Sequence, residues 1–218
     1  MSGGAAPAAL RLTVYDAAPG ADGIALAGAA VFVYAASGEV SVVADGTVRT
    51  LSADDGAFAD PGTRLTGDGA AWIYTVAGPD APFLTGADIV LSEPLQPAFG
   101  APFLVRADRI ESTPGAQTPR HGHRGPGIRR LLKGRLLAEV GEKVERIAAG
   151  SAWFETGHDM VVGTNTGDGN AAFVRVMVLP MELRGGLSSF MPADEAEARK
   201  PRSVNARLFG ETTIAAGG

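Results

Sequence analysis

The sequence predicts an all-β protein built from two tandem copies of one β unit. Three observations predict it. Glycine and proline, 30 and 14 of the 218 residues, interrupt the chain too often for helices of ordinary length. Short apolar or alternating runs recur between turn signals at the roughly 8–12-residue spacing of sandwiches and barrels. The third observation is self-similarity. GDGAAWIYTV from Gly67 returns as GDGNAAFVRVMV from Gly167, ADPGT around Gly62 as FETGH around Gly157, and VYAASGEVSVV around Gly38 as RLLKGRLLAEV around Gly134. Three matches in one order, at an offset of about 95–101 residues, read as a duplicated unit.

Taken in chain order, residues 1–9 (MSGGAAPAA) read as a flexible lead-in. Strands are expected at 10–15, 30–34, 40–43 and 72–76 in the first copy. In the second they are expected at 103–105, 128–132, 135–140, 151–154 and 173–179. Ser37-Gly38, Asp45-Gly46, Pro61-Gly62 and the two GDG segments supply the turns. The GDGN run at 167–170 lacks the acidic ladder of a calcium loop and reads as a hairpin turn. Residues 192–200 (PADEAEARK) form the one helical pattern, with proline early and a basic end. The resulting division is a first unit at 10–78, a proline-rich connector at 79–112, a second unit at 113–182 and an extension at 183–218. RLFGETTI at 207–214 reads as a final strand able to pair across a homodimer.

Composition narrows the function classes. There is no cysteine, hence no disulfide framework, thiolate metal site or cysteine nucleophile, which agrees with a cytoplasmic location. The first residues show no basic n-region or apolar h-region, so no secretion signal is expected. The longest apolar run, 24–36, is too short for a membrane span. A net charge of −5 argues against nucleic acid as partner. GxSxG, GxxxxGK[ST] and HExxH motifs are absent.

The second copy resembles the cupin family. Gly115, five residues, His121-Gly122-His123 and a closing Gly134 follow the family's first motif, with Gly127 where its Glu belongs. No Asp or Glu occurs between Ser112 and Ala138. GSAWFETGHDMVVGTN at 150–165 follows the second motif, with Thr156 in place of its Pro, Met160 at its His position and Asn165 near its Asn. Counted from Gly38 and Gly62, the equivalent first-copy positions are Ala25, Ala27 and Leu65. The resemblance implies a bicupin: two tandem double-stranded β-helix (jelly-roll) barrels, the first without metal ligands.

All three histidines fall in the second copy. His121 and His123 share a face if they lie on a strand. His158 faces inward too if a strand runs on through Met160. The resemblance then implies a divalent transition metal (Fe, Mn, Ni or Zn) on His121, His123 and His158. The competing reading is a metal-free pocket in which the histidines act as hydrogen-bonding groups or an acid–base pair, with His158 on a loop. Arg129 has the parity of Gly127 and is the candidate anchor for an anionic small-molecule ligand, while a register shift at Gly125-Pro126-Gly127 gives it the opposite parity and a solvated face. One of Trp153 and Phe154 faces the barrel, and with Met160 they complete the expected substrate-binding set. Glu155, whose parity differs from that of His158 and Met160, is a weaker candidate ligand or base. Arg175, inside an apolar strand, calls for an acid from another strand. Catalytic residues are not assignable from this pattern. The function expected is small-molecule binding in the second barrel, as a metal-dependent oxygenase, isomerase or lyase or as a non-catalytic binding or sensing module.

Overall fold

A computed structural model describes residues 9–97 and 99–215. The first unit comprises β1 (Leu10–Ala17), β2 (Gly20–Ala25), β3 (Ala30–Ser37), β4 (Glu39–Ala44), β5 (Thr47–Ser52), β6 (Gly56–Ala59), β7 (Arg64–Gly67), β8 (Ala70–Ala77) and β9 (Asp88–Leu95). The second comprises β10 (Phe103–Ser112), β11 (His121–His123), β12 (Gly127–Lys133), β13 (Arg135–Val140), β14 (Lys143–Ala148), β15 (Ala152–Glu155), β16 (Val161–Asn165), β17 (Ala171–Pro180), β18 (Phe190–Pro192) and β19 (Asn205–Ile214). Each unit is a jelly-roll barrel of two antiparallel sheets. The first has strand orders β6-β3-β8-β1-β9 and β2-β7-β4-β5. The second repeats them as β15-β12-β17-β10-β19 and β14-β13-β16-β11, with β18 added beside β11 as a fifth strand.

The internal repeat has a physical basis at the β3–β4 and β12–β13 corners. Gly38 and Gly134 adopt φ of 64° and 88°. A Cβ would lie 2.9 Å from the Gly69 Cα at the first and 2.7 Å from the Ala171 Cα at the second. Only glycine suits both the backbone sign and the close approach of the neighbouring strand.

The two barrels pack back to back. Alternation sends Leu12, Val14, Phe32, Tyr74 and Val76 of the first barrel and Val105, Ile128, Val174 and Val176 of the second into one shared apolar cluster. The opposite faces point into the two barrel interiors. These strands are therefore buried on both sides, which is why they read as continuous apolar runs.

Several expectations need correction. Residues 79–112 carry two long strands. β9 completes the first barrel's sheet beside β1, and β10 is central in the second. Their prolines sit mainly around the strands; Pro94 lies within β9, an edge strand, where a missing N–H is tolerated. The helical pattern at 192–200 contracts to α1 (Glu195–Ala198), because Asp194 rather than Pro192 caps it, accepting from the Glu197 N–H at 2.9 Å. The 207–214 run is present as the edge strand β19, longer than expected (Asn205–Ile214), paired along β10, with Phe209 packed against Phe32 and Tyr34 of the first barrel. Of the expected lead-in, residues 1–8 lie outside the described residues. No helix among the described residues is long and apolar enough to cross a membrane.

Candidate functional site

The second barrel encloses a cavity of about 400 Å³. Its polar wall is a row of residues directly opposite one another across four strands. Asp108 on β10 pairs with Arg175 on β17, Arg175 with Arg129 on β12, and Arg129 with Trp153 on β15. Equal register puts all four on one face, and all four line the cavity. Glu155, two residues beyond Trp153 on the same strand, shares that face.

These charges are arranged in pairs. Arg175 donates Nε to Asp108 Oδ1 at 2.7 Å and Nη2 to Oδ2 at 2.8 Å, a two-pronged fork. Burial pulls the Arg175 pKa down, but Asp108 outweighs it and the net shift is upward. Arg129 is 1% exposed. Its Nη1 donates to the Gly127 carbonyl at 2.6 Å, and its Nη2 lies 2.5 Å from Glu155 Oε2. Burial lowers its pKa to about 10, against the opposing pull of Glu155, so it stays charged at neutral pH. Glu155 Oε1 accepts from the Trp153 indole N–H at 3.0 Å.

The facing sheet supplies the imidazoles. His121 and His123 both point into the cavity, with perpendicular rings 4.8 Å apart. His121 Nδ1 lies 2.8 Å from the Pro119 carbonyl, which can only accept. Nδ1 therefore carries the proton and Nε2 the lone pair. The His121 ring stacks on Phe190 at 4.4 Å. His123 Nε2 is 3.5 Å from Glu155 Oε2, and its Nδ1 is 3.3 Å from Ser189 Oγ. Desolvation lowers both imidazole pKa values, and that of His123 is lowered further by Arg129 and Arg175, so both rings are neutral at pH 7.

The extension closes one side of the cavity. Arg106 on β10 donates to Glu211 Oε1 at 2.7 Å, to the Leu187 carbonyl at 2.7 Å and to the Leu183 carbonyl. Glu211 also accepts from the N–H groups of Gly185 and Gly186. This tie holds the loop that brings Ser189 and Phe190 over the histidines. Arg202, stacked on Phe190 at 4.3 Å, lies at the rim.

No family model matches the chain, and no curated protein matches it. Solved structures do. AerE from Microcystis aeruginosa superposes with a TM-score of 0.51 at 16% identity, over 80% of this chain and 84% of that one. A mutant of Bacillus subtilis oxalate decarboxylase gives 0.54 at 11% identity, over 90% and 71%. A cupin 2 conserved barrel domain protein from Leptotrichia buccalis gives 0.50 at 13% identity, over 78% and 83%. The chain has the bicupin fold.

Within this bicupin the expected metal set does not assemble. His158 is exposed on the loop after β15, its backbone N–H on Thr156 Oγ1, and it does not line the cavity. No strand runs from it through Met160, which removes the parity argument. Met160 lies on the outer face of the sheet, against Gly122. Phe154 faces the inter-barrel cluster, leaving Trp153 as the cavity residue of that pair. Gly127, in the acidic ligand's place, has no room for a side chain. A Cβ there would lie 2.5 Å from the Val176 carbonyl oxygen. Its inward neighbour Arg129 sets a buried cation against Glu155, the carboxylate that reaches His123. Among the described residues no three of His, Asp and Glu converge as a metal group. His121 and His123 are the two of the expected ligands that face the cavity, and the residues around them do not complete a metal site.

The first barrel is apolar inside. Equivalent registers set Thr13–Thr75–Val31 where the second has Asp108–Arg175–Arg129. Ile24 and Leu26 are buried where histidines would stand, while Ala25 and Ala27 are exposed, one residue out of phase with the count from Gly38. Sequence reasoning also underrated Glu155, whose parity with Trp153 was the available signal. The acid that Arg175 called for is Asp108.

Proposed function

We propose that the second barrel binds a small organic molecule with a carboxylate-bearing head group and an apolar body, without a resident metal. The N-terminal barrel serves as its rigid partner. One observation carries the reading: at equal registers one barrel has Thr13, Thr75 and Val31, and the other Asp108, Arg175 and Arg129. Burying ions costs several kcal/mol each before pairing, and the first barrel needs none of them to fold. The cost is thus attached to the cavity, whose volume suits a small ligand. Leu136, Val161 and Phe173 supply its apolar wall.

The test is a ¹H–¹⁵N NMR screen of small carboxylic acids with aliphatic or aromatic groups, with metal analysis of the untagged protein. Binding that shifts the Trp153 indole and the His121–His123 amides, in protein holding less than stoichiometric metal, is the expected result. Stoichiometric transition metal lost on His121→Ala, or shifts confined to the first barrel, would overturn it.

A second reading, acid–base catalysis in the same cavity, is favoured by the unprotonated His121 Nε2 facing it. His121→Gln then abolishes turnover of a bound compound while leaving its affinity within a few-fold.

A further inference from the structure

The charge balance of the cavity restricts what the head group is. Asp108 and Arg175 satisfy each other through two aligned hydrogen bonds, and Arg106 is engaged by Glu211 and two carbonyls. Arg129 and Glu155 differ. They touch at 2.5 Å, yet Arg129 Nη2 and Glu155 Oε2 are both buried without an aligned hydrogen-bond partner. Arg129 is 1% and Glu155 4% exposed. The site thus holds one cation and one anion in direct contact, without the aligned fork that joins Arg175 to Asp108, and no net charge between them.

A ligand carrying only a carboxylate would engage Arg129 and leave the Glu155 charge buried without compensation. A ligand carrying only an ammonium would strand Arg129. Either imbalance is expensive in a dry interior. A molecule bringing both charges closes both groups at once. Resting on the reading above, we infer that the ligand is a zwitterion, an α-amino acid with an apolar or aromatic side chain, its carboxylate on Arg129 and its ammonium on Glu155. An α-amino acid carries its two charges on neighbouring groups, as Arg129 and Glu155 are neighbours here. The apolar side chain has a counterpart in Trp153 and Phe173, whose rings meet edge-on at 5.2 Å beside Leu136.

Calorimetric titration at pH 7 of the full chain with L-phenylalanine, 3-phenyllactate and 2-phenylethylamine separates the cases, since the three share a phenyl group. Phenylalanine is expected to bind about 10- to 100-fold more tightly than either single-charge analogue, the range for one charged hydrogen bond. In Glu155→Gln the order inverts and phenyllactate binds at least as tightly as phenylalanine. Phenyllactate matching phenylalanine on the unaltered protein would overturn the zwitterion while leaving the pocket reading intact. Binding of none of the three would also overturn it; the pocket reading is then decided separately by the carboxylic acid screen.

Discussion

Removing Glu155 isolates the energetics of the cavity. Arg129 is 1% exposed, has one nitrogen on the Gly127 carbonyl, and faces a second guanidinium, Arg175, across the sheet. In Glu155→Leu the charge on Arg129 loses the acid that touches it at 2.5 Å. Breaking one partner out of a buried pair costs about 3–5 kcal/mol. At about 2–4 °C per kcal/mol for a chain of this size, the melting temperature falls by roughly 6–20 °C. The double change Arg129→Met/Glu155→Leu removes both charges and fills their space with apolar atoms. Such replacements range from neutral to about 4 kcal/mol stabilising, so the double variant recovers to the parent's melting temperature or above while losing ligand binding. Urea denaturation followed by Trp fluorescence, with calorimetry for the melting temperature, measures both variants. A double variant less stable than Glu155→Leu alone would refute the reasoning. The pair would then be holding the barrel together, and its presence would say nothing about a ligand.

The imidazoles give a pH prediction. Both folded-state pKa values lie below the ordinary 6.5, through burial first. The unfolded chain therefore takes up protons that the folded chain refuses. Stability is fully present above about pH 6.5 and declines as pH falls below it, by up to about 1.4 kcal/mol per pH unit for each imidazole. In urea titrations between pH 7 and pH 5 the His121→Gln/His123→Gln variant shows a shallower decline than the parent; equal slopes would count against neutral buried rings. His158→Ala changes stability by less than about 0.5 kcal/mol and leaves ligand binding untouched, as expected of an exposed loop residue. Val31→Arg places in the first barrel the charge that the second carries at Arg129, but opposite Ala59 and Thr75. With no acid there, it costs more than about 4 kcal/mol and is read as loss of soluble folded protein by circular dichroism. Arg130→Ala removes an ion pair to Asp16 at 2.8 Å and a stack on Trp72 at 4.3 Å, lowering stability by about 1–3 kcal/mol in urea denaturation.

What was legible in the sequence followed from strong local signals. All nine runs expected as strands before the final one are strands, because alternation and doubly buried apolar runs are both unlike helix patterns. The glycine repeats marked the corners, since their φ and close contacts leave no other residue. The strands overlooked were the short or polar ones and β9, whose eight residues are interrupted by Pro94. β5 and β14 are exposed at four of their first positions, so they carry almost no apolar signal. β11 is three residues long and held by pairing to β16 and β18. At the site, parity leaves two options open both for Arg129 and for the Trp153–Phe154 pair, and the structure turns Arg129 and Trp153 to the cavity. His158 and Met160 share a face with the histidines only on a continuous strand, and Thr156 and Asp159 instead close a local turn there, Asp159 Oδ2 accepting from the Thr156 N–H and hydroxyl. Glu155 was discounted by comparing its parity with His158 across that same break. Asp108 could not be located at all from local pattern, since its pairing with Arg175 spans 67 residues.

The back-to-back packing explains how the second barrel tolerates buried charge at its centre. On β12 the side chains alternate: Arg129 faces the cavity and Leu131 the apolar cluster around Leu136 and Trp153, while Ile128 and Arg130 face the first barrel. Arg130 is fixed from outside, by Asp16 and Trp72 of β1 and β8, and donates to the Gly150 carbonyl at 2.9 Å. Val174 and Val176, flanking Arg175 on β17, are clamped in the shared apolar cluster. The backbone carrying Arg129 and Arg175 is therefore held by contacts that do not involve the cavity. A charged row on a strand with one solvated face could relieve its repulsion by shifting or twisting outward; here that movement would open the inter-barrel core. Duplication thus does more than double the fold. It places an apolar, closely packed barrel behind the one wall that carries the guanidinium groups, which fixes their spacing before any ligand arrives.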